Sequence, residues 1–256
     1  MDSEKIKLTI AYDGTNYSGW QVQKTGVGVQ QKLEEAFQKL FSSTVGLHGS
    51  SRTDTGVHAL GLVAHVVLAR SEFKMSLRKL PLALNAFLPE DIRVMSASRV
   101  PSEFHARFDA TGKQYRYFAW NAPVMNPLLR FLAWHVPQHL DIGAMRSAAK
   151  MFLGTHDFKS FAATRGSNPP RTAEQLTVRT VSRCDIRRSG PLLTFVIEGD
   201  GFLYKMCRGM VGTLVEIGRG KFPISDLKRM LAARDRRASG MTAPAHGLVL
   251  WRVFYS

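Results

Sequence analysis

Residues 202–217 are apolar around most of the circumference of a helix, through Met206, Cys207, Met210, Val211, Leu214, Val215 and Ile217. A helix of that kind is buried, so the fold must enclose it in other layers. Gly209 and Gly212 permit close packing against it. Arg208 stands in its middle, and a guanidinium taken out of water needs an anion, because its desolvation alone costs several kcal/mol. With 256 residues the chain can form one large core or two modest ones.

The remaining periodicities supply those layers. Residues 5–11 alternate Ile6, Leu8 and Ile10 with polar neighbours, the pattern of a half-buried strand. Residues 29–41 keep Leu33, Phe37, Leu40 and Phe41 at helical spacing. A short strand then leads into the small, polar stretch 50–59, and 60–68 reads as a largely buried strand. Residues 75–87 look helical but are interrupted by Pro81, and 92–99 form another strand. In the second half, 113–120 alternate as a strand does and 142–152 form an amphipathic helix. A loop over 155–172, with Arg165 and Arg171, precedes strands at 175–187 and 192–199 joined by the turn 188–191. Ser225 is placed to cap a shorter helix, and 248–254 end the chain as a strand. Strands and helices mix without strict alternation, so the class is α+β with mainly antiparallel sheet. A shift in composition near residues 100–106 suggests two halves, 1–103 and 104–256.

Charge separates those halves. The formal net charge is +15, from 35 Lys and Arg against 20 Asp and Glu. Residues 1–103 carry 12 bases and 10 acids, whereas residues 104–256 carry 23 and 10. A surplus on that scale points to a polyanionic partner, since cations that neutralise phosphates release condensed counterions. Two cysteines without metal spacing, Cys184 and Cys207, fit a reducing, cytoplasmic setting. The first residues lack the apolar stretch of a signal peptide, and no apolar run nears the ~20 residues of a membrane span.

One carboxylate, Asp54, sits on a glycine-bearing turn after Arg52 and before a strand, the kind of rigidly mounted loop tip that carries catalytic groups. The plainer reading is an Asx-turn, with Asp54 capping its own backbone. Arg208 is a candidate partner: a cation within ~4–6 Å would lower the carboxyl pKa by ~1–3 units and keep it ionised in a pocket. Glu216 and Asp200 are alternative partners for that arginine, in a purely structural pair. Phe104-His105-Ala106-Arg107-Phe108 and Gly112-Lys113-Gln114-Tyr115-Arg116-Tyr117 interleave aromatics with bases, which suits RNA but also an ordinary amphipathic strand. His135 and His139 have Pro137 between them and make a poor metal pair. His58 and His65 read as hydrogen-bonded scaffold, and Gly26-Val27-Gly28 lacks the spacing and lysine of a phosphate loop.

Taken in order, these segments resemble the TruA-type tRNA pseudouridine synthases. The resemblance is carried by Tyr12-Asp13-Gly14-Thr15, Gly19-Trp20-Gln21-Val22-Gln23, Val29-Gln30 with Leu33-Glu34, and Arg52-Thr53-Asp54-Thr55-Gly56-Val57-His58-Ala59. It continues through Phe104-His105-Ala106-Arg107, Tyr115-Arg116-Tyr117, His156-Asp157-Phe158, Arg208-Gly209-Met210-Val211-Gly212 and Ala243-Pro244-Ala245 with Gly247-Leu248. Ser50-Ser51 stands where the family often has Ala-Gly, and small residues are retained. The resemblance implies two similar α+β halves, mainly antiparallel, joined around a basic central cleft. It implies Asp54 as the catalytic aspartate, Arg208 as its partner, and Tyr115 as the residue that stacks on uracil. Arg52 would fill the gap left by the extruded uridine, and Thr53, His58, Arg107, Lys113 and Arg116 would help bind the substrate. A homodimer acting on the tRNA anticodon arm without any cofactor or metal is the implied assembly.

Two other readings are weighed against it. Asp54-Thr55-Gly56 spells the aspartic-protease tripeptide, but two such aspartates must share a proton and the chain has one copy. A catalytically silent tRNA-binding protein would explain the charge but not an acid on the binding loop. The charge asymmetry yields an expected outcome: tRNA affinity falls steeply with added salt, and a nearly flat log–log titration would show that phosphates are not the main attraction.

Overall fold

A computed structural model describes residues 3–41, 44–71, 73–163 and 177–256. In chain order its elements are β1 (Ser3–Tyr12), α1 (Val29–Phe41), β2 (His48–Gly49), β3 (His58–Ala69), α2 (Leu80–Asn85), β4 (Ile92–Val100) and β5 (Ala110–Trp120). Then come β6 (Trp134–His135), α3 (Ile142–Lys150), β7 (Gly154–Asp157), β8 (Val178–Ser189), β9 (Leu192–Gly199), α4 (Met206–Gly218), α5 (Asp226–Ala233) and β10 (Leu248–Tyr255). The chain divides into two compact units, Met1–Thr111 with Val249–Ser256, and Gly112–Leu248. The sequence-based halves, 1–103 and 104–256, follow other lines. Residues 104–109 belong to the first unit because Lys5 Nζ donates to Phe104 O (2.9 Å), Ala106 N donates to His65 Nδ1 (3.1 Å) and Tyr255 OH donates to Ala106 O (2.6 Å).

In the first unit β1 lies between β4 and β3, antiparallel to both, and β10 runs parallel to β3 through Val249↔His58 and Leu250↔Ala59. Farther along β3, β2 pairs antiparallel through His48↔His65. Ile6, Leu8 and Ile10 lie opposite Val66, Ala64 and Leu62, and all six are fully buried, as the alternation in β1 requires. The stripe Val29, Leu33, Ala36 and Phe37 of α1 is buried with them. Pro81 opens α2 rather than interrupting a longer helix. At a first helical turn the missing N–H has no intrahelical partner to lose.

In the second unit β5, β9, β8 and β7 form an antiparallel sheet in that order, with β6 parallel to the end of β5. The core gathers Tyr117, Phe152, Phe158, Phe161 and Phe195 around α4, which is buried along nearly its whole length. Strand pairing within each unit is therefore mainly antiparallel, in agreement with the α+β reading. Both cysteines are buried, and burial pushes the Cys184 thiol up to about 12.

Several boundaries move. Gly154–Asp157, taken from sequence as the start of a loop, is an edge strand on β8, too short to show a period of its own. Arg165 and Arg171 lie outside the described residues, as does the start of the expected 175–187 strand. The buried helix begins at Met206, because Lys205 has φ of +60°, a left-handed conformation that a helix cannot pass through. Arg208 is thus in the first turn of α4, not its middle. Ser225 precedes α5 but has helical dihedrals and makes no side-chain cap; Asp226 in the first turn provides the favourable negative charge instead.

Close approach at Gly212 is steric. A Cβ there would overlap the Met241 carbonyl oxygen, whereas one at Gly46 would meet nothing within 4 Å. Gly212→Ala should lower stability by about 1–3 kcal/mol or more through overpacking, and Gly46→Ala should change it little. Paired chemical denaturation curves check both.

Candidate active site

The Asp54 turn is held by main-chain bonds and by neighbouring glycines. Val57 N donates to Asp54 O (3.1 Å), closing the turn through the main chain, and Gly56 takes φ of +74°. Gly56 N donates to Tyr17 O, and Trp20 N donates to Thr53 O, both at 3.3 Å. Side chains at Gly14 or Gly19 would collide with the carbonyls of Val57 and Thr53, so the segment from Tyr12 to Trp20 lies directly against the turn. Beneath it Tyr12 OH is 2.7 Å from Thr53 Oγ1, and burial raises the pKa of that phenol, keeping it protonated. Ser50 fastens the turn's approach to β3: its N–H donates to Val63 O (2.7 Å), and its Oγ accepts from Val63 N (3.3 Å).

Of the residues expected in the first unit, Arg52, Thr53, Asp54 and His58 lie on or beside this turn, and Arg107 lies on the 104–109 loop. Thr53 is buried, Asp54 is half-buried and Arg52 is exposed. His58 is buried, with Nδ1 accepting from Gly14 N (3.0 Å) and lying 3.0 Å from Asp13 Oδ1. That is the scaffold role read from sequence. Arg107 is exposed on the 104–109 loop with its guanidinium over the Phe108 ring. The loop is tied by His105, whose Nδ1 accepts from Arg107 N (3.1 Å) and Phe108 N (3.3 Å). The His65 ring packs on those of His48 and His105, with centroids 4.9 and 4.8 Å away.

The expected residues of the second unit lie on β5 and α4. Tyr115 is buried, with the edge of Phe202 set at 84° to its ring and centroids 5.2 Å apart. Lys113 and Arg116 flank it, and Arg116 Nε donates to Gln114 Oε1 (3.1 Å). Burial, with Arg187 and Arg183 nearby, lowers the pKa of Arg116. Arg208 is half-buried, its Nε donating to Ala243 O (2.7 Å) while its own carbonyl accepts from Ala243 N (3.0 Å). A cation in a helix's first turn faces the positive end of the macrodipole, and the Ala243 carbonyl offsets that repulsion. The rival acids are engaged elsewhere: Glu216 Oε1 with Lys221 Nζ (2.7 Å), and Asp200 Oδ1 with Thr180 N (3.1 Å).

Sequence reasoning gave no role to Tyr117 or Thr213 and weighed Glu216 only as an ion-pair partner of Arg208, yet the fold links all three to the segment that Arg208 binds. Tyr117 OH donates to Pro244 O (2.9 Å), so Tyr117 and Arg208 bind adjacent carbonyls. Glu216 and Thr213 hold the residues leading to them. The Ala243-Pro244 pair was visible as a motif, but nothing local showed what it binds. Among the described residues no cluster of three or more His, Cys, Asp or Glu could hold a metal ion, and no helix is long and apolar enough to cross a membrane.

The model of a family described as tRNA pseudouridine synthase matches residues 8–109 and 148–256. A tRNA pseudouridine synthase A from Geobacter sp. (strain M21) is 46% identical over 98% of each chain. Another from Pelobacter propionicus is 46% identical over 98% of this chain and 99% of the relative. One from Geobacillus kaustophilus is 44% identical over 99% of this chain and 95% of the relative. The chain belongs to the tRNA pseudouridine synthase family. The Asp54 turn, its glycine-lined cradle and α4 all fall within the matched residues. As an isomerase family, it has no counterpart for the protease reading of Asp54-Thr55-Gly56.

The histidines packed against the 104–109 loop give the stability of the first unit a pH dependence. Burial, then the neighbouring His48, His105 and Lys5, push His65 down to about 4 from 6.5, against a smaller opposing effect of Asp109. Protonation therefore favours the unfolded chain: His65's contribution is complete above pH 6.5 and declines as pH falls toward 4. Denaturation midpoints across that window should fall less steeply for His65→Gln than for the parent chain; equal slopes would remove His65 as the cause.

Proposed function

We propose that this chain isomerises uridine to pseudouridine in the anticodon arm of tRNA, with Asp54 as nucleophile. What supports the role of Asp54 is its place on a turn whose main chain closes from Val57 N to Asp54 O, packed against Gly14 and Gly19. The reaction breaks the N1–C1′ bond, turns the uracil and joins C5 to C1′. The proton leaving C5 is balanced by one gained at N1. No oxidant, phosphate donor or external group enters the equation, so the chemistry needs no cofactor. An ionised carboxylate serves as nucleophile at the sugar or the base, and Arg208 is the cation that keeps it ionised.

Base extrusion costs a few kcal/mol, and stacking on Tyr115, worth ~1–3 kcal/mol, offsets much of it. The Phe202 edge supports this role by fixing the plane of the tyrosine ring. Arg52 fills the space the base leaves, while Thr53, His58, Arg107, Lys113 and Arg116 hold the RNA or the loops that meet it. A basic cleft between two α+β halves, a homodimeric assembly and a cytoplasmic setting complete the reading. Asp54→Ala should reduce pseudouridine formation to background while tRNA binding persists. Undiminished product, scored by mapping modified nucleosides, would refute the role of Asp54, and lost binding would make it a docking residue.

A further inference from the structure

Arg208, Gly212 and Glu216 lie four residues apart along α4 and so share one face of the helix. Residues 240–243 run along that face. Gly240 N donates to Thr213 Oγ1 (3.0 Å), Met241 N to Glu216 Oε2 (2.9 Å) and Ala243 N to Arg208 O (3.0 Å). Between them Met241 rides on Gly212, where any side chain would collide with its carbonyl. Arg236 braces the segment through Gly240 O (2.7 Å) and Thr242 Oγ1 (2.7 Å). Tyr117 holds Pro244 O.

Glu216 is the costly member of this arrangement. Its side chain is 7% exposed, and a carboxylate so enclosed is tolerated only when it is paired and hydrogen-bonded, here by Lys221 and the Met241 amide. A well-packed apolar residue would hold a loop at least as stably. What the carboxylate adds is register, because it fixes one particular amide. Register matters for Arg208: a slip of one residue would present Pro244, which has no N–H, in place of Ala243, which both donates to and accepts from Arg208.

We infer that Glu216 is a positioning residue, which with Thr213 sets the 240–243 segment so that the Ala243 carbonyl fixes Arg208 by its Nε. The inference rests on the proposed role of Arg208 beside Asp54. A guanidinium is planar, so holding Nε on one carbonyl fixes the plane in which its remaining donors lie.

Turnover and tRNA binding by the full chain, measured against pH for folded protein, test it. For Glu216→Ala, kcat should fall on the order of 10- to 100-fold with little change in KM, as a displaced reacting group requires. The acid limb of kcat should move to higher pH, because a loosened cation holds Asp54 less firmly in its ionised form. Glu216→Gln should recover most of the rate, its amide oxygen still accepting from Met241 N. Should Glu216→Ala fail to fold, Thr213→Val, which removes the bond from Gly240 N, carries the same expectations. Unchanged kcat and pH limb in folded variants, or a loss that only tracks the folded fraction, would overturn the inference. Full activity in Arg208→Ala would instead overturn the reading of Arg208, whereas an inactive Arg208→Ala beside fully active Glu216 and Thr213 variants would remove only the positioning role.

Discussion

The main chain closes the Asp54 turn, from Val57 N to Asp54 O, and so fixes where its carboxylate is mounted. The rest of the first unit bears on this one main-chain bond. Gly14 and Gly19 let the preceding segment touch the turn's carbonyls, which any Cβ would prevent. Tyr12, with its phenol kept neutral by burial, meets Thr53 without adding a charge beside the acid. The sequence segments Tyr12-Asp13-Gly14-Thr15 and Gly19-Trp20 are separated from Asp54 by more than thirty residues. Their physical meaning is that of a close-fitting cradle, in which Asp13 is the one acid and lies 3.0 Å from His58 Nδ1.

The second unit solves a different problem with charged groups. Arg208 begins a helix whose dipole disfavours it, and the helix is otherwise apolar and buried. A segment that follows α5 supplies the compensating carbonyl, and Glu216 and Arg236 hold that segment in place. Each of these ions would be a liability alone in a core. Together they convert a flexible arginine into one with a defined plane, which an apolar clamp could not do.

Local pattern made some of this legible and left the rest hidden for identifiable reasons. The α1 stripe and the β9 strand have the bounds their periodicity predicts, because burial on one face dictates the pattern residue by residue. Elements set by distant partners were misplaced. The first turn of α4 is lost to the left-handed Lys205, next to Tyr204, whose carbonyl accepts from Ala163 N. The β7 strand exists because β8 offers an edge. In the site, Asp54 stood out through its unusual neighbours, whereas Tyr117 and Glu216 resemble ordinary core and helix residues until their partners on the 240–244 segment are seen. A role created by a contact far along the chain leaves no periodic trace.

The same pairing bears on how the +15 charge acts on a polyanion. Cations already bound to acids within the fold release few counterions when RNA arrives, since their fields are largely neutralised. Arg183 sits against Asp185 and Glu198, Arg237 against Asp235, and Arg70 and Arg99 share Glu4. A one-to-one pair cancels in the net charge as well, so the formal surplus already counts cations in excess of acids. Some of that surplus is engaged internally: three of the five N–H donors of Arg236 go to the Gly240 carbonyl and the Ser239 and Thr242 hydroxyls of its own chain. The salt slope reports how many of the remaining cations neutralise phosphates.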